Sequence, residues 1–362
     1  MTALAHRPHT VFPSPVEVTA AHPPEVRGLR RDEVRLLVAS PAGVEHVRFR
    51  DLGRFLDPGD VLVVNTSATV AAEVDGTSSR YGGVVVHLAA PLDDGTWVVE
   101  LRTVPDAARA LLDAVPGDEV VLGREARLRL LEAYPRPGSS PTGVGTRLWR
   151  VAVDGDLGRV VALLGRPIAY GYLDARYPLR DYQTVFSVTP GSAEMPSAGR
   201  PFTAELLATL VSAGVQVAPV LLHTGVSSQE AGEAPQPERF AVTAASARIV
   251  NQARVAGGRV VAVGTTATRA VESATDADGV VRAAAGWTDL VITPNRPVRV
   301  VDGLVTGWHD PEASHLLLVE SVAGPDLTQL AYDAALVHAY RWHEFGDSCV
   351  LLPRRRIQAT LS

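Results

Sequence analysis

From residue 203 to 352 the apolar pattern switches again and again between the helical and the extended period, and few folds accept that alternation. TAELLATLVSAG (203–214) reads as a helix and VQVAPVLLHTG (215–225) as a strand. TAASARIVNQARVAGG (243–258) reads as a helix opened by Thr243 and stopped by glycine. RVVAVG (259–264) gives a strand, TTATRAVESA (265–274) a helix capped by Thr265 or Thr266, and VRVVDGLVT (298–306) another strand. The next helix is expected to be capped by Asp310, with Pro311 in its first turn. A helix over LTQLAYDAALVHAYRW (327–342) and a strand at SCVLL (348–352) complete the series. Helices that regularly separate strands act as crossovers, so the expected core is α/β with a largely parallel sheet.

A different texture fills the middle of the chain. GGVVVHLAA, TWVVELRTV, DEVVLGREARLRLLEAY and TRLWRVAVDG are short Val- and Leu-rich runs parted by Gly, Pro and Asp. Runs of that kind suggest a small antiparallel barrel or sandwich. PRPGSSPTGVG (135–145) reads as a flexible loop inside it. The earlier runs EVRLLVAS, HVRFRDL and VLVVN (33–65) are expected to join the later core. The plan is therefore a discontinuous α/β core, 1–75 and 155–362, carrying an inserted antiparallel β-barrel-like domain at 76–154. A chain of 362 residues is long enough for both.

Composition narrows the function classes. A single cysteine, Cys349, excludes an intramolecular disulfide and a cysteine zinc cluster, and fits a reducing cytoplasm. MTALAHRPHT lacks the apolar core of a signal peptide, and no run reaches the roughly 18 apolar residues of a membrane span. Net charge is −6, and every basic residue in that total is arginine. Two clusters, Arg27/Arg30/Arg31/Arg35 and Arg354/Arg355/Arg356, are either nucleic-acid contacts or solvated surface. GxxxxGK[ST], GxGxxG after a strand, HExxH and GxSxG are all absent, and no His or carboxylate cluster has metal-ligand spacing. A bound ligand must then be held by helix starts, aromatic faces and a few titratable groups, with no metal. In open α/β sheets that happens beyond the carboxyl ends of the strands. Asn65, His223, the Thr265–Thr266 pair and the group Thr306, Trp308 and His309 all follow strand ends.

Six segments occur in a telling order: DYQTVF (181–186), GSAEMPSAGRPFTAELL (191–207), LLHTGV (221–226), AVGTTATRAVE (262–272), VDGLVTGWHDPEAS (301–314) and YRWHEFGDS (340–348). Together they resemble the S-adenosylmethionine:tRNA ribosyltransferase-isomerase family of queuosine biosynthesis, most strongly from DYQTVF onward. The resemblance implies transfer of the ribosyl part of S-adenosylmethionine to the aminomethyl group of a 7-deazaguanine base in a tRNA anticodon. Adenine and methionine leave, and the sugar becomes an epoxycyclopentane. It also implies the same architecture, an α/β core with an inserted barrel. Under it, His309, His223 and Glu238 are the expected catalytic groups. Asn65, Ser197, Gly199, Phe202, Thr265, Thr266, Thr306, Trp308, Arg341 and Asp347 are the expected substrate contacts. The chemistry suits these types. A sulfonium acidifies the neighbouring C5′ hydrogens, so His309 is expected as base or hydrogen-bond partner. Thr265 and Thr266 would hold a carboxylate or a ribose hydroxyl at a helix start. Trp308 would stack on adenine or face the sulfonium.

The chain also departs from the family pattern. NTSATVAAE puts Ala68 and Glu73 where arginines are usual, and Gly82-Gly83-Val84-Val85-Val86 loses the charges of Gly-Gly-Lys-Val-Glu. Ala198-Gly199-Arg200-Pro201-Phe202 lacks a histidine, and QPERF keeps Glu238 from a histidine-rich segment. His315, Glu320, His343 and Glu344 are new titratable groups. Lost basic residues weaken phosphate contacts. Three readings follow: the family reaction on tRNA, transfer from or cleavage of S-adenosylmethionine with a small-molecule acceptor, and a non-catalytic S-adenosylmethionine-binding protein.

Overall fold

VLVVN, residues Val61–Asn65, is buried at every position, as a strand covered on both faces must be. The computed structural model describes residues 6–13, 18–138, 143–227, 232–311 and 313–354. In chain order the strands before the first helix are β1 (Arg35–Ser40), β2 (Gly43–Arg48), β3 (Val61–Asn65), β4 (Ser67–Thr69), β5 (Glu73–Ser78), β6 (Gly82–Pro91), β7 (Trp97–Arg102), β8 (Glu119–Leu122), β9 (Ala126–Ala133) and β10 (Leu148–Gly155). Then come α1 (Leu157–Leu164), β11 (Thr189–Ser192), α2 (Ala204–Ser212), β12 (Gln216–Leu222), β13 (Glu238–Val242), α3 (Ala244–Val255), β14 (Val260–Val263) and α4 (Gly264–Ser273). The chain closes with β15 (Ala284–Thr288), β16 (Gly303–Thr306), α5 (Ser314–Ala323), α6 (Pro325–Val337) and β17 (Ser348–Leu351).

The core sheet has the order β15-β13-β12-β3-β14-β16-β17-β1-β2. Its centre, β12-β3-β14-β16, is parallel, as the alternation of helices and strands predicts, and so is β17-β1. The outer pairs and β16-β17 are antiparallel. β5 to β10 form a separate closed antiparallel barrel, lined by fully buried Val74, Val86, Leu101, Leu122, Leu128 and Val151. The part of the 135–145 loop at 139–142 lies outside the described residues, as do Arg355 and Arg356.

Local signals hold where a side chain has no competing partner. Thr203 caps α2 by accepting from Leu206 N–H, and Thr243 caps α3 by accepting from Ser246 N–H. Three expectations fail for tertiary reasons. α4 starts at Gly264, so Thr265 and Thr266 sit inside its first turn and cap nothing. α5 starts at Ser314, not at Asp310; no side chain caps it, and Asp310 lies in a turn that accepts from Ala313 N–H. The Trp308 ring, held in the aromatic core, and the turn closed on the Asp310 carbonyl keep this stretch out of helical geometry, so the helix starts past Pro311. α6 ends at Val337, because Ala339 turns left-handed (φ 48°) and sends Tyr340 and Trp342 into the core.

That core explains Trp308. Its ring packs edge-on against Tyr332 at 5.1 Å and Tyr340 at 5.7 Å, and lies 5.7 Å from Trp342. It is only 4% exposed. Trp308→Ala is accordingly expected to lower folding stability by about 3–5 kcal/mol, measured by urea denaturation. Weakened ligand binding at unchanged stability would return Trp308 to the purely ligand-facing role expected from sequence.

The first arginine cluster is tied to the protein itself. Arg35 binds Asp347, Arg30 binds Asp32, and Arg27 and Arg31 donate to the carbonyls of Phe345 and Gln183.

Candidate active site

Parallel register brings the strand ends into line. Asn65 at the end of β3 pairs with Val220 of β12, and Val263 at the end of β14 pairs with Val305 of β16. Gly264 then turns the chain straight into α4 with φ 89°. A Cβ there would stand 3.2 Å from that of Ala198, so glycine suits both the angle and the space. Beyond these ends lies a cavity of about 770 Å³, the size of a small-ligand site. One wall is Gly264–Thr266 with Thr306–Asp310 and His315. The facing wall brings Arg102 and Ala108 from the barrel and Tyr170 and Tyr172 from the segment after α1. Glu194, Ser197, His343 and Glu344 lie between them.

His309 is half-buried in this cavity. Its Nε2 is 3.0 Å from Thr306 Oγ1, and its ring stacks on His315 with centroids 4.9 Å apart. Burial, reinforced by His315 and His343, holds its pKa well below the ordinary histidine value. Burial and the charge of Arg269 push His315 down to about 4. Both rings are thus neutral at pH 7. A helix N-terminus is not the cause, because α5 starts only at Ser314; burial is.

Ser197, Thr265, Thr266, Thr306, Trp308 and His309 all line the cavity. Trp308 lends it only a sliver of surface, and its indole N–H finds no acceptor among the described residues. The other expected residues stand behind the walls. Asn65 donates to Leu222 O (2.8 Å) and Thr266 Oγ1 (3.2 Å) and accepts from Leu222 and Ser67 N–H, which fastens β3 to β12 and α4. His223 is 2.7 Å from Ser67 Oγ, and burial lowers its pKa. Glu238 pairs with Arg269, and burial raises its pKa against that charge. It lines a smaller pocket that shares Thr265, Thr266 and His315 with the main cavity. Phe202 is fully buried between Phe49 and Phe186, and a Cβ at Gly199 would touch Phe186 at 3.4 Å. Asp347 clamps Arg35 and accepts from the Arg341 N–H at 2.8 Å, while the Arg341 side chain is exposed.

Sequence reasoning missed Glu194, Tyr170, Tyr172 and Arg102. Glu194 lies inside the quoted GSAEMPSAGRPF segment, so its signal was present; AYGY carries no periodicity. Of the new titratable groups, His315, His343 and Glu344 converge on the cavity. Glu320 does not; it accepts from Thr10 N–H at 2.6 Å and Thr10 Oγ1 at 2.7 Å. Among the described residues, no three or more His, Cys, Asp or Glu side chains are grouped to hold a metal ion, and no helix is long and apolar enough to cross a membrane.

Residues 10–351 match a family model described as "Queuosine biosynthesis protein". S-adenosylmethionine:tRNA ribosyltransferase-isomerase of Symbiobacterium thermophilum is 35% identical over 350 residues, 93% of this chain and 97% of that protein. Its counterpart in Moorella thermoacetica is 36% identical over 337 residues, 89% and 94%. Among solved structures, S-adenosylmethionine tRNA ribosyltransferase from Thermotoga maritima is similar with a TM-score of 0.51 and 28% identity. The likeness covers 94% of this chain and 99% of that one.

Proposed function

The chain belongs to the queuosine biosynthesis protein family, and on that premise we propose that it is an S-adenosylmethionine-dependent tRNA ribosyltransferase-isomerase working in the cavity at the strand ends. The ribosyl part of S-adenosylmethionine is transferred to the aminomethyl group of a deazaguanine base in tRNA; adenine and methionine are released. That chemistry belongs in the cytoplasm, where tRNA is modified. The observation that carries the reading is the two-sided cavity: core strand ends and the α4 start on one side, barrel and linker residues on the other. Two substrates can meet there, one against each wall. This assigns the strand-end wall of the discontinuous core, 1–75 and 155–362, to S-adenosylmethionine, and the inserted barrel, 76–154, together with the linker that carries Tyr170 and Tyr172, to the acceptor side.

Within the reading, Thr265 and Thr266 hold an anionic or hydroxyl group of S-adenosylmethionine at the α4 N-terminus. The Trp308 N–H offers a buried donor. His309, neutral and braced by Thr306, takes or gives a hydrogen bond at the reacting sugar or at adenine. Glu238, His223, Asn65, Gly199, Phe202, Arg341 and Asp347 keep these groups in position from behind.

The test is to incubate the protein with S-adenosylmethionine, with and without tRNA bearing the aminomethyl-deazaguanine base, and to detect adenine and methionine by mass spectrometry. Release that needs the tRNA is expected. S-adenosylmethionine at about 100 times its Kd is expected to stabilise the fold by about 2.7 kcal/mol. A flat calorimetric titration together with an unchanged Tm would refute the reading. A second reading, transfer from or cleavage of S-adenosylmethionine with a small-molecule acceptor, is favoured by the first arginine cluster being spent on the protein's own groups. Release without tRNA would establish it, and binding without release would mark a non-catalytic S-adenosylmethionine-binding protein.

A further inference from the structure

We propose that Glu194 and Glu344, framed by Tyr170 and Tyr172, form the pocket for the acceptor's amine: Glu194 anchors the ammonium, and Glu344 takes the proton that the nitrogen must lose before it attacks. The inference rests on the reading above, that this cavity transfers a sugar to an amine.

Two carboxylates line one stretch of the cavity, and their settings differ. Three donors converge on Glu194: the Tyr170 hydroxyl, the Ser227 N–H at 2.8 Å and the Ser227 hydroxyl. A carboxylate fixed by three donors is an anchor. Glu344 receives one side-chain hydrogen bond, from the Tyr172 hydroxyl. Burial raises its pKa to about 7, against the pull of Tyr172 and of its own backbone N–H and with help from Glu194. A group poised there exchanges protons readily at neutral pH, and two carboxylates in contrasting settings commonly divide anchoring and proton transfer between them.

The surroundings suit a cation. The Tyr170 and Tyr172 rings stack at 6.1 Å, and His343 stacks on Tyr172 at 4.4 Å. The two carboxylates attract an ammonium, and a cation already stands beside these rings, with the Arg102 guanidinium 5.5 Å from the Tyr170 centroid. The backbone is also strained here, because His343 sits at φ 70°. A non-glycine residue is held in that region only where the surrounding structure enforces it. That conformation sets the direction in which the next residue, Glu344, leaves the chain. Neither carboxylate is needed by the S-adenosylmethionine contacts assigned to Thr265, Thr266 and His309.

The proton step balances. The Glu344 carboxylate accepts one proton from the bound ammonium and becomes a carboxylic acid, leaving a neutral amine. The nitrogen's electron pair then forms the bond to the sugar carbon. Over the whole reaction the bonds from sugar to adenine and to sulfur break, with their electron pairs leaving on adenine and on sulfur, and the attacked carbon gives up its bond to the ring oxygen. The pair left by the departing C5′ proton closes the carbon ring on C1′, and the freed oxygen takes the place of sulfur to close the epoxide. Sulfur thereby loses its positive charge. The neutral amine and the carbon beside sulfur each give up one further proton, and adenine takes up one.

The groups facing Glu344 are Tyr172, Tyr182, Glu194 and His343, with Arg31, Arg200 and Asp347 on its other side. Burial keeps His343 below the ordinary histidine value and raises Tyr182 above the ordinary tyrosine value, so Glu344 is the group expected to titrate near pH 7.

The experiment measures single-turnover adenine release with the aminomethyl-deazaguanine tRNA from about pH 6 to 9, alongside calorimetric binding of S-adenosylmethionine. For the natural protein the rate should rise through the pH at which Glu344 loses its proton. Glu344→Gln should slow release about 100-fold and abolish that rise, with S-adenosylmethionine affinity within about threefold. Glu194→Gln should raise KM for the acceptor about tenfold or more. If Glu344→Gln fails to fold, Tyr172→Phe serves instead. It removes the hydrogen bond that lowers the Glu344 pKa, so the rise should move to higher pH. An unaltered profile in a folded variant, or a loss of rate matched by an equal loss of S-adenosylmethionine affinity, would overturn the proposal. No S-adenosylmethionine binding by the natural protein would instead sink the reading of the cavity itself.

Discussion

His309→Ala is expected to slow adenine release by about two orders of magnitude or more while the protein keeps its fold. The imidazole has one side-chain hydrogen bond, to Thr306, and it lines the cavity. Its loss should therefore cost folding only about 1 kcal/mol. The same neutral ring lies where the strand ends meet the cavity, so its contribution is to the reacting groups. Because burial and the neighbouring His315 and His343 hold its pKa well below 6.5, activity that depends on the neutral ring should fail only on the acid side. The check is single-turnover release and Tm for the variant side by side. A variant that melts early yet turns over normally once folded would make His309 a purely structural histidine.

Glu100→Ala is expected to destabilise the barrel by about 3–5 kcal/mol, because it breaks a buried ion-pair chain. Glu100 is fully buried and bonds Arg102 at 2.7 Å and Arg147 at 3.2 Å. Arg147 continues to Glu233 at 2.6 Å. His87 lies between two carboxylates, 3.1 Å from Glu73 and 3.4 Å from Glu100, the second an ion-pair contact without hydrogen-bond alignment. Glu73 also meets Arg166 and Arg176 at 2.7 and 2.6 Å. Burial alone would raise both carboxyl groups. For Glu100, His87, Arg147 and Arg102 overcome it and bring the pKa to about 2. For Glu73, His87, Arg176 and Arg166 do the same, also to about 2. Burial would lower His87, but its two carboxylates raise it above 6.5 instead.

The pH dependence follows by linkage. A depressed carboxyl pKa stabilises the fold above the unfolded value of 4.5 and loses that contribution as pH falls toward 2. A raised histidine pKa stabilises below the unfolded value of 6.5 and loses its contribution as pH rises through the folded one. The stability gap between natural protein and Glu100→Ala should therefore be widest between 4.5 and 6.5 and shrink on both sides. Urea denaturation of both proteins from about pH 3 to 8 measures it. A gap that stays level across that range would show that the charges contribute nothing there.

What the sequence determined by itself was the part of the molecule governed by local period and local capping. The α/β alternation, the barrel strands and the cap at Thr243 depend on side chains a few residues apart. The strand ends were legible for the same reason, and they led to Thr265, Thr266, Thr306 and His309 at the cavity. The tertiary structure decided everything that depends on residues distant in the chain. Glu73 read as a missing arginine; in the fold it is the buried partner of Arg166, Arg176 and His87. Trp308 read as a ligand face, but Tyr332, Tyr340 and Trp342 cover it. Asp310 read as a cap, but the packing of Trp308 and the turn on the Asp310 carbonyl move the helix start to Ser314. Glu194 and Glu344 are far apart in the chain and share no period, so only the closing of the sheet and the linker after the barrel could bring them to one cavity.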